Sequence, residues 1–113
     1  MPIKILHVDP FNLEPEKIAL AAAEIRRGGL VAFPTETVYG LGANALDEVA
    51  VKRIFTTKER PFDDPLIVHI SKFEDLAVVA NPISDLVSVL AEAFWPGPLT
   101  LIMPKSRRVP DNV

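Results

Sequence analysis

Proline fixes φ and has no backbone N–H, so each proline marks a place where a helix or strand must begin, bend or stop. This 113-residue chain has eleven, spread over its whole length and accompanied by only five glycines. They punctuate folded elements and do not form a linker. Between them the apolar residues recur at readable periods. Residues 15–27, PEKIALAAAEIRR, place Ile18, Ala21, Ala22 and Ile25 on one stripe at helical spacing. Pro15 suits the first turn, Glu14 and Glu16 favour its positive end, and Arg26 and Arg27 favour the last turn. Gly28-Gly29 stops this helix.

Leu30–Phe33 reads as a short strand closed by Pro34. Asp47 can cap a second helix running through Thr57, with Val51, Ile54 and Phe55 inward. Leu66–Ile70 reads as a second strand. Ser84 can cap a third helix with Ile83, Leu86, Val87, Leu90 and Phe94 on one face, ended by Trp95-Pro96-Gly97-Pro98. Leu99–Met103 reads as a third strand, and the tail KSRRVPDNV turns polar with no signal that completes a fold. Helices alternating with strands predict an α/β layer with crossover connections and at least partly parallel strands. Three strands make a thin core, which points to part of a larger domain.

Composition narrows the function classes. Apolar residues at 49% and charged residues at 24% are a globular balance, and the length allows one small domain. There is no cysteine, hence no disulfide, thiol nucleophile or thiolate metal site. Two histidines, His7 and His69, are too few for a histidine-rich metal site. Residues 1–50 carry four Lys/Arg against seven Asp/Glu, and residues 51–113 carry eight of each. No global basic field drives nucleic-acid binding; the local clusters are Lys52, Arg53, Lys58 and Arg60, and then Lys105, Arg107 and Arg108. The N-terminus lacks the pattern of a secretory signal and no apolar run reaches membrane-spanning length, so the expected compartment is the cytoplasm with no membrane partner.

Two segments carry candidate chemistry. In Phe33-Pro34-Thr35-Glu36-Thr37-Val38-Tyr39-Gly40-Leu41-Gly42, an extended backbone puts Thr35, Thr37 and Tyr39 on one face. Hydroxyls in a row after a hydrophobic strand line the strand's C-terminal end, where α/β sheets tend to bind ligands. Gly40 and Gly42 allow close backbone approach or positive φ. A solvated edge with threonine chosen for strand propensity has equal weight on residue types alone. The segment is not a P-loop, since the Gly-Lys-Ser/Thr ending is absent. In Lys58-Glu59-Arg60-Pro61-Phe62-Asp63-Asp64-Pro65 the two prolines force an extended or turned backbone, and an extended one projects Lys58 and Arg60 to the same side. Two cations aimed together suit a polyphosphate, with arginine adding a bidentate fork. In isolation such a charge run is more often a solvated loop. His69 shares a strand face with Ile67, and Trp95 reads as a packing residue over the sheet.

Taken together, PTETVYGLG at 34–42, KERP at 58–61, DPLIVHI at 64–70 and WPGPLT at 95–100 resemble the YrdC domain, the threonylcarbamoyl-AMP synthase family. The resemblance runs from about residue 15 to the end and implies a twisted mixed α/β sheet with flanking helices, truncated. Residues 1–113 then form the N-terminal part of a single YrdC-like domain, without the family's Ser-x-Asn motif. The implied reaction takes L-threonine, bicarbonate and ATP to threonylcarbamoyl-AMP and pyrophosphate. Downstream threonylcarbamoyl-transferase proteins then pass the group to adenosine 37 of tRNA. The resemblance assigns Lys58 and Arg60 to the phosphates, Asp64 to a nucleotide contact, and His69 with Thr37 or Thr35 to threonine. Mg²⁺ arrives mostly with the phosphates. Two positions depart from the family pattern: Glu59 stands where glycine is usual, and Asp64 where asparagine is common. A carboxylate beside a triphosphate is repulsive unless it binds Mg²⁺ or is neutralised.

Two other readings use the same fold. One is a double-stranded RNA-binding module, which here has only the two basic clusters to rely on. The other is a carbamoyl-transfer domain of a hydrogenase-maturation protein, which sits in a much longer chain.

Overall fold

A computed structural model describes residues 3–61 and 64–113. Phe62 and Asp63, the middle of the predicted proline-bounded loop, lie outside the described residues. In chain order the elements are helix α1 (Pro15–Arg26), strand β1 (Val31–Phe33), strand β2 (Gly40–Gly42), helix α2 (Glu48–Lys58), a 3₁₀ turn (Phe73–Asp75), the short helix α3 (Leu76–Val79) and helix α4 (Asp85–Phe94).

Helix α1 begins at Pro15, with Glu16 in its first turn and Arg26 in its last. It ends as its two glycines require. Gly28 takes φ +86°, Gly28 N–H donates to Ile25 O (3.0 Å), and Gly29 N–H donates to Glu24 O (2.9 Å). This pair of bonds is a Schellman motif, whose left-handed residue is best served by glycine. No residue of α1 is buried, so its apolar stripe stays half open.

Helix α2 carries the core. Ala50, Val51, Ile54 and Phe55 are all buried, on the face expected from their spacing. Asp47 caps its start, accepting from the N–H groups of Val49 (3.0 Å) and Ala50 (3.2 Å). Arg53 donates to Gly28 O (3.0 Å), tying the helix to the end of α1. The C-terminus repeats the Schellman pattern without a glycine. Glu59 sits at φ 53°, Glu59 N–H donates to Thr56 O (3.4 Å), and Arg60 N–H donates to Phe55 O (2.9 Å).

Helix α4 is capped by Ser84, whose hydroxyl accepts from Val87 N–H (3.4 Å). It stops before Trp95, and Asn81-Pro82 and Trp95-Pro96 are cis. The Trp95 indole N–H spans its own turn to Leu99 O (2.8 Å).

The strands differ from expectation. The chain is α/β, but among the described residues its one sheet is the antiparallel pair β1–β2, registered Val31 with Gly42, Ala32 with Leu41 and Phe33 with Gly40. The second partner is the end of the PTETVYGLG segment, so that segment folds back as a hairpin. Leu66–Ile70 and Leu99–Met103, the predicted second and third strands, form no ladder, and no parallel pair exists among the described residues. Local propensity makes a residue fit for a strand, and only a non-local partner makes the ladder.

The tail is more integrated than its polar composition implied. Lys105 bridges antiparallel to Ala80, Ser106 N–H and Oγ donate to Val79 O (2.9 Å) and Val78 O (2.5 Å), and Val109 is buried. Asn112 donates to Glu48 O at the start of α2 (3.1 Å). Lys105 Nζ clasps the turn, reaching Val109 O (2.9 Å) and Asp111 Oδ1 (2.8 Å).

Glu59→Gly is expected to stabilise the chain by about 0.5–1 kcal/mol, because a Cβ in the left-handed region costs about 1–2 kcal/mol and glycine returns part of that as unfolded-chain entropy. A urea midpoint that rises at constant m-value is the expected readout. Gly28→Ala is expected to destabilise, since its new Cβ adds that strain and lies 3.1 Å from Asp47 Oδ2. The hydrogen bond from Lys105, and then its charge, hold the Asp111 carboxyl below its usual value. A lowered native pKa contributes stability at neutral pH that is lost as the carboxyl protonates. Amide exchange at Val109 should therefore quicken as pH falls through the carboxylate range after correction for intrinsic rates, and Asp111→Asn should abolish that dependence.

Candidate functional site

The hairpin loop between β1 and β2 holds the hydroxyl row. Its register depends on an aromatic ring lying over two glycines. A Cβ at Gly40 would sit 3.0 Å from Phe33 Cζ, and one at Gly42 2.9 Å from Phe33 Cε1. Close approach is thus the reason for both glycines, and neither has positive φ. Residues 36–38 bend, so the expected extended face shared by Thr35, Thr37 and Tyr39 does not form. The two threonines part company instead. Thr35 Oγ1 donates to Val38 O and accepts from Thr37 N–H (3.3 Å), which closes the loop on itself. Among the described residues the Thr37 hydroxyl has no such intramolecular bond, and its side chain is exposed.

The cationic pair is arranged by the end of α2. Lys58 is the helix's last residue and is exposed, so it is not on an extended segment with Arg60. The left-handed turn at Glu59 redirects the chain between them. This gives the Lys-x-Arg spacing a backbone reason for the residue usually found in its middle, since that position is the helix's C′ residue.

Arg60 then turns onto its own loop. One guanidinium nitrogen donates to Pro65 O (2.7 Å), and Nε lies 3.4 Å from Asp64 Oδ2. Nε is shielded from solvent and has no hydrogen bond, so the Asp64 contact is an ion pair. The Arg60 and Asp64 side chains are 28% and 56% exposed, which places the pair in the class worth about 0–1 kcal/mol. The carboxylate expected to repel a triphosphate is therefore neutralised within its own loop. Residue spacing could have signalled this pairing, because acid and base stand four apart across a proline-bounded turn.

His69 is exposed, with Nδ1 3.1 Å from Ile67 O. Because a carbonyl only accepts, Nδ1 is the donor in this contact.

Among the described residues an ion pair brings Arg60 and Asp64 together, and no hydrogen bond or ion pair links Lys58, His69 or the threonine loop to them. Among the described residues no hydrogen bond or ion pair joins residues 34–39 to residues 58–70. Two concavities, of about 510 and 400 Å³, lie elsewhere, along Ala77–Ile83 with Ser106–Arg108 and along α4 with residues 101–104. Sequence reasoning did not anticipate Ser106 as the tie between the tail and α3; a serine between basic residues carries no signal for it.

Comparison with known proteins gives a consistent result. A family profile described as Telomere recombination (Sua5/YciO/YrdC) matches residues 23–113. A threonylcarbamoyl-AMP synthase of Pyrococcus abyssi is 64% identical over 99 residues, covering 88% of this chain and 29% of that protein. A protein of the same name from Bacillus subtilis is 50% identical over 96 residues, covering 85% of this chain and 28% of that protein. The crystal structure of P. abyssi Sua5 complexed with L-threonine superposes with a TM-score of 0.85 at 62% identity, covering 89% of this chain and 30% of the other. The chain therefore spans under a third of the length of these relatives, and over that span it belongs to the Sua5/YciO/YrdC family.

Proposed function

We propose that this chain supplies the N-terminal part of the pocket of a threonylcarbamoyl-AMP synthase, which joins L-threonine, bicarbonate and ATP with release of pyrophosphate for threonylcarbamoylation of adenosine 37 in tRNA. The observation that carries this reading is the 64% identity to a protein of that name, over 99 residues. The relative crystallised with L-threonine supports the amino-acid part of it.

In this reading the threonine amine is carbamoylated by bicarbonate or its carbon dioxide, and a carbamate oxygen attacks the α-phosphate as pyrophosphate leaves. Charge spreads over phosphate oxygens in that transition state, so fixed cations lower the barrier. Lys58 and Arg60 are those cations. Arg60 exchanges its ion pair with Asp64 for a phosphate, and an exchange worth at most about 1 kcal/mol weakens ATP binding by less than about ten-fold. Asp64 keeps a contact to the nucleotide. Mg²⁺ enters on the triphosphate, where it screens charge, and Asp64 Oδ1, unengaged among the described residues, is the carboxylate oxygen available to it. Thr37 is preferred over Thr35 for threonine, because Thr35 Oγ1 is spent inside its loop. His69 contacts the threonine through Nε2, the ring nitrogen not engaged with Ile67 O.

These roles give separable outcomes in a full-length protein carrying this segment. Lys58→Ala and Arg60→Ala are each expected to lower threonine-dependent pyrophosphate release from ATP by at least about a hundred-fold. Full turnover in both variants would remove the assignment. Thr37→Val should raise KM for threonine about ten-fold with KM for ATP unchanged, the signature of one lost hydrogen bond. Thr35→Val should act through loop stability. Asp64→Asn should lower KM for ATP, by less than about ten-fold, because it releases Arg60 while keeping a polar side chain in place.

A further inference from the structure

The loop that carries the paired cations is itself acidic. From Lys58 to Pro65 two basic residues, Lys58 and Arg60, stand against three acidic ones, Glu59, Asp63 and Asp64. Arg53, further back on α2, is engaged with Gly28 O (3.0 Å) at the end of α1. A polyanion that approaches such a loop meets attraction and repulsion together. Within the loop one charge of each sign is paired. Arg60 Nε lies 3.4 Å from Asp64 Oδ2, and the same guanidinium donates to Pro65 O (2.7 Å). The Asp64 N–H donates to Pro61 O (3.1 Å), so the residue bearing the carboxylate is held on the turn that follows Arg60. Whatever takes the guanidinium therefore unpairs a carboxylate that stays on the same short turn.

Glu59 behaves differently. It is exposed at the left-handed exit of α2, and among the described residues its carboxylate has no hydrogen bond or ion pair. Its pairing does not change when Arg60 is taken. A cation that arrives with the polyanion can restore the balance at Asp64, and nothing on the chain supplies one beforehand. Among the described residues no group of three or more His, Cys, Asp or Glu gathers where a metal ion could be held. Mg²⁺ takes one or two carboxylates and leaves the rest of its octahedron to water and substrate phosphates. One carboxylate beside a phosphate-binding pair fits that habit, and Asp64 Oδ1 has no partner among the described residues.

Given the synthase reading, in which Lys58 and Arg60 hold the phosphates, we propose that Asp64 is a specificity-determining residue. It makes the site select the magnesium complex of ATP and reject the free nucleotide. The guanidinium exchanges its carboxylate for a phosphate oxygen, and the carboxylate exchanges its guanidinium for the cation that the phosphates bring. Each charge is paired before and after. Free ATP completes only the first exchange and leaves Asp64 an unpaired anion beside a triphosphate. Selection of this kind acts by repelling the wrong ligand as well as by attracting the right one.

The test is calorimetric titration of ATP, without threonine, into a full-length protein carrying this segment. One arm contains EDTA and the other excess Mg²⁺, at matched ionic strength so that screening is equal. The magnesium complex is expected to bind at least about ten-fold more tightly than free ATP. Asp64→Asn should tighten free ATP at least about five-fold and shift the magnesium complex by less than about three-fold, which removes most of the preference. Glu59→Gln takes away a carboxylate of the same loop that has no partner, and it should leave the ratio of the two affinities as in the parent. Mg²⁺ titrated alone should show no binding over the range in which the ATP complex saturates. Equal affinities for the two forms in the parent would overturn the proposal, even where a variant does not fold. An unchanged ratio in Asp64→Asn would overturn it, as would an equal loss in Glu59→Gln, which would assign the preference to the loop's overall charge. Binding of Mg²⁺ without ATP would overturn it in favour of a resident metal. Absence of ATP binding in both arms would remove the phosphate assignment of Lys58 and Arg60 as well, so failure of the synthase reading is told apart from failure of the selection by Asp64.

Discussion

Burial of one face of α2 supplies half of the core among the described residues, four of its eight buried apolar side chains. Val51 and Phe55 are its largest fully buried side chains, and the whole buried quartet of α2 comes from two turns of helix. Two separate parts of the chain attach to that helix by hydrogen bonds, and its own cap closes its start. Gly28, at the end of α1, accepts from Arg53; Asp47 closes the N-terminus; and Asn112, in the tail, donates to Glu48 O. Its C-terminus sets the direction of the loop bearing Lys58, Arg60 and Asp64. A shift of this helix moves the core and the cationic loop together, which is why its left-handed exit at Glu59 bears on chemistry as well as on stability.

The helices were legible because their signals are local. Asp47 and Ser84 cap the helices they were expected to cap, Pro15 stands at a helix start, and Gly28 takes the positive φ that ends α1. Strand pairing is a statement about residues far apart, and there the reading diverged. Thr35, Thr37 and Tyr39 alternate in sequence, but Gly40–Gly42 pairs back onto Val31–Phe33, and the loop between them bends. Leu66–Ile70 and Leu99–Met103 read as strands in sequence; burial alternates along both, while no ladder pairs them among the described residues. The short helix α3 has no side-chain cap and was not anticipated. Within the candidate site, residue types pointed to Arg60 and Asp64 individually; the turn closed by Asp64 N–H donating to Pro61 O, which their four-residue spacing across a proline allows, is what makes them face one another.

Magnitudes decide how the Arg60–Asp64 pair is to be understood. Were it buried, separating it would leave an uncompensated charge and cost several kcal/mol. Half-exposed as it is, the pair is weak. It is strong enough to give the guanidinium a resting position, together with Pro65 O, and too weak to withhold it from a phosphate. The same contact neutralises the aspartate that stands where the family commonly has asparagine for as long as the guanidinium rests on it.

The candidate residues share a physical condition. A ligand pocket is a concavity, and concavities are made where elements converge. Here Thr37, Lys58, Arg60 and His69 each lie at an element end or on a segment without a ladder, and among the described residues no hydrogen bond or ion pair ties the threonine loop to the cationic loop. Each is placed by its own local structure: Thr37 by the loop that Thr35 closes, Lys58 and Arg60 by the left-handed exit from α2, and His69 by its contact with Ile67 O.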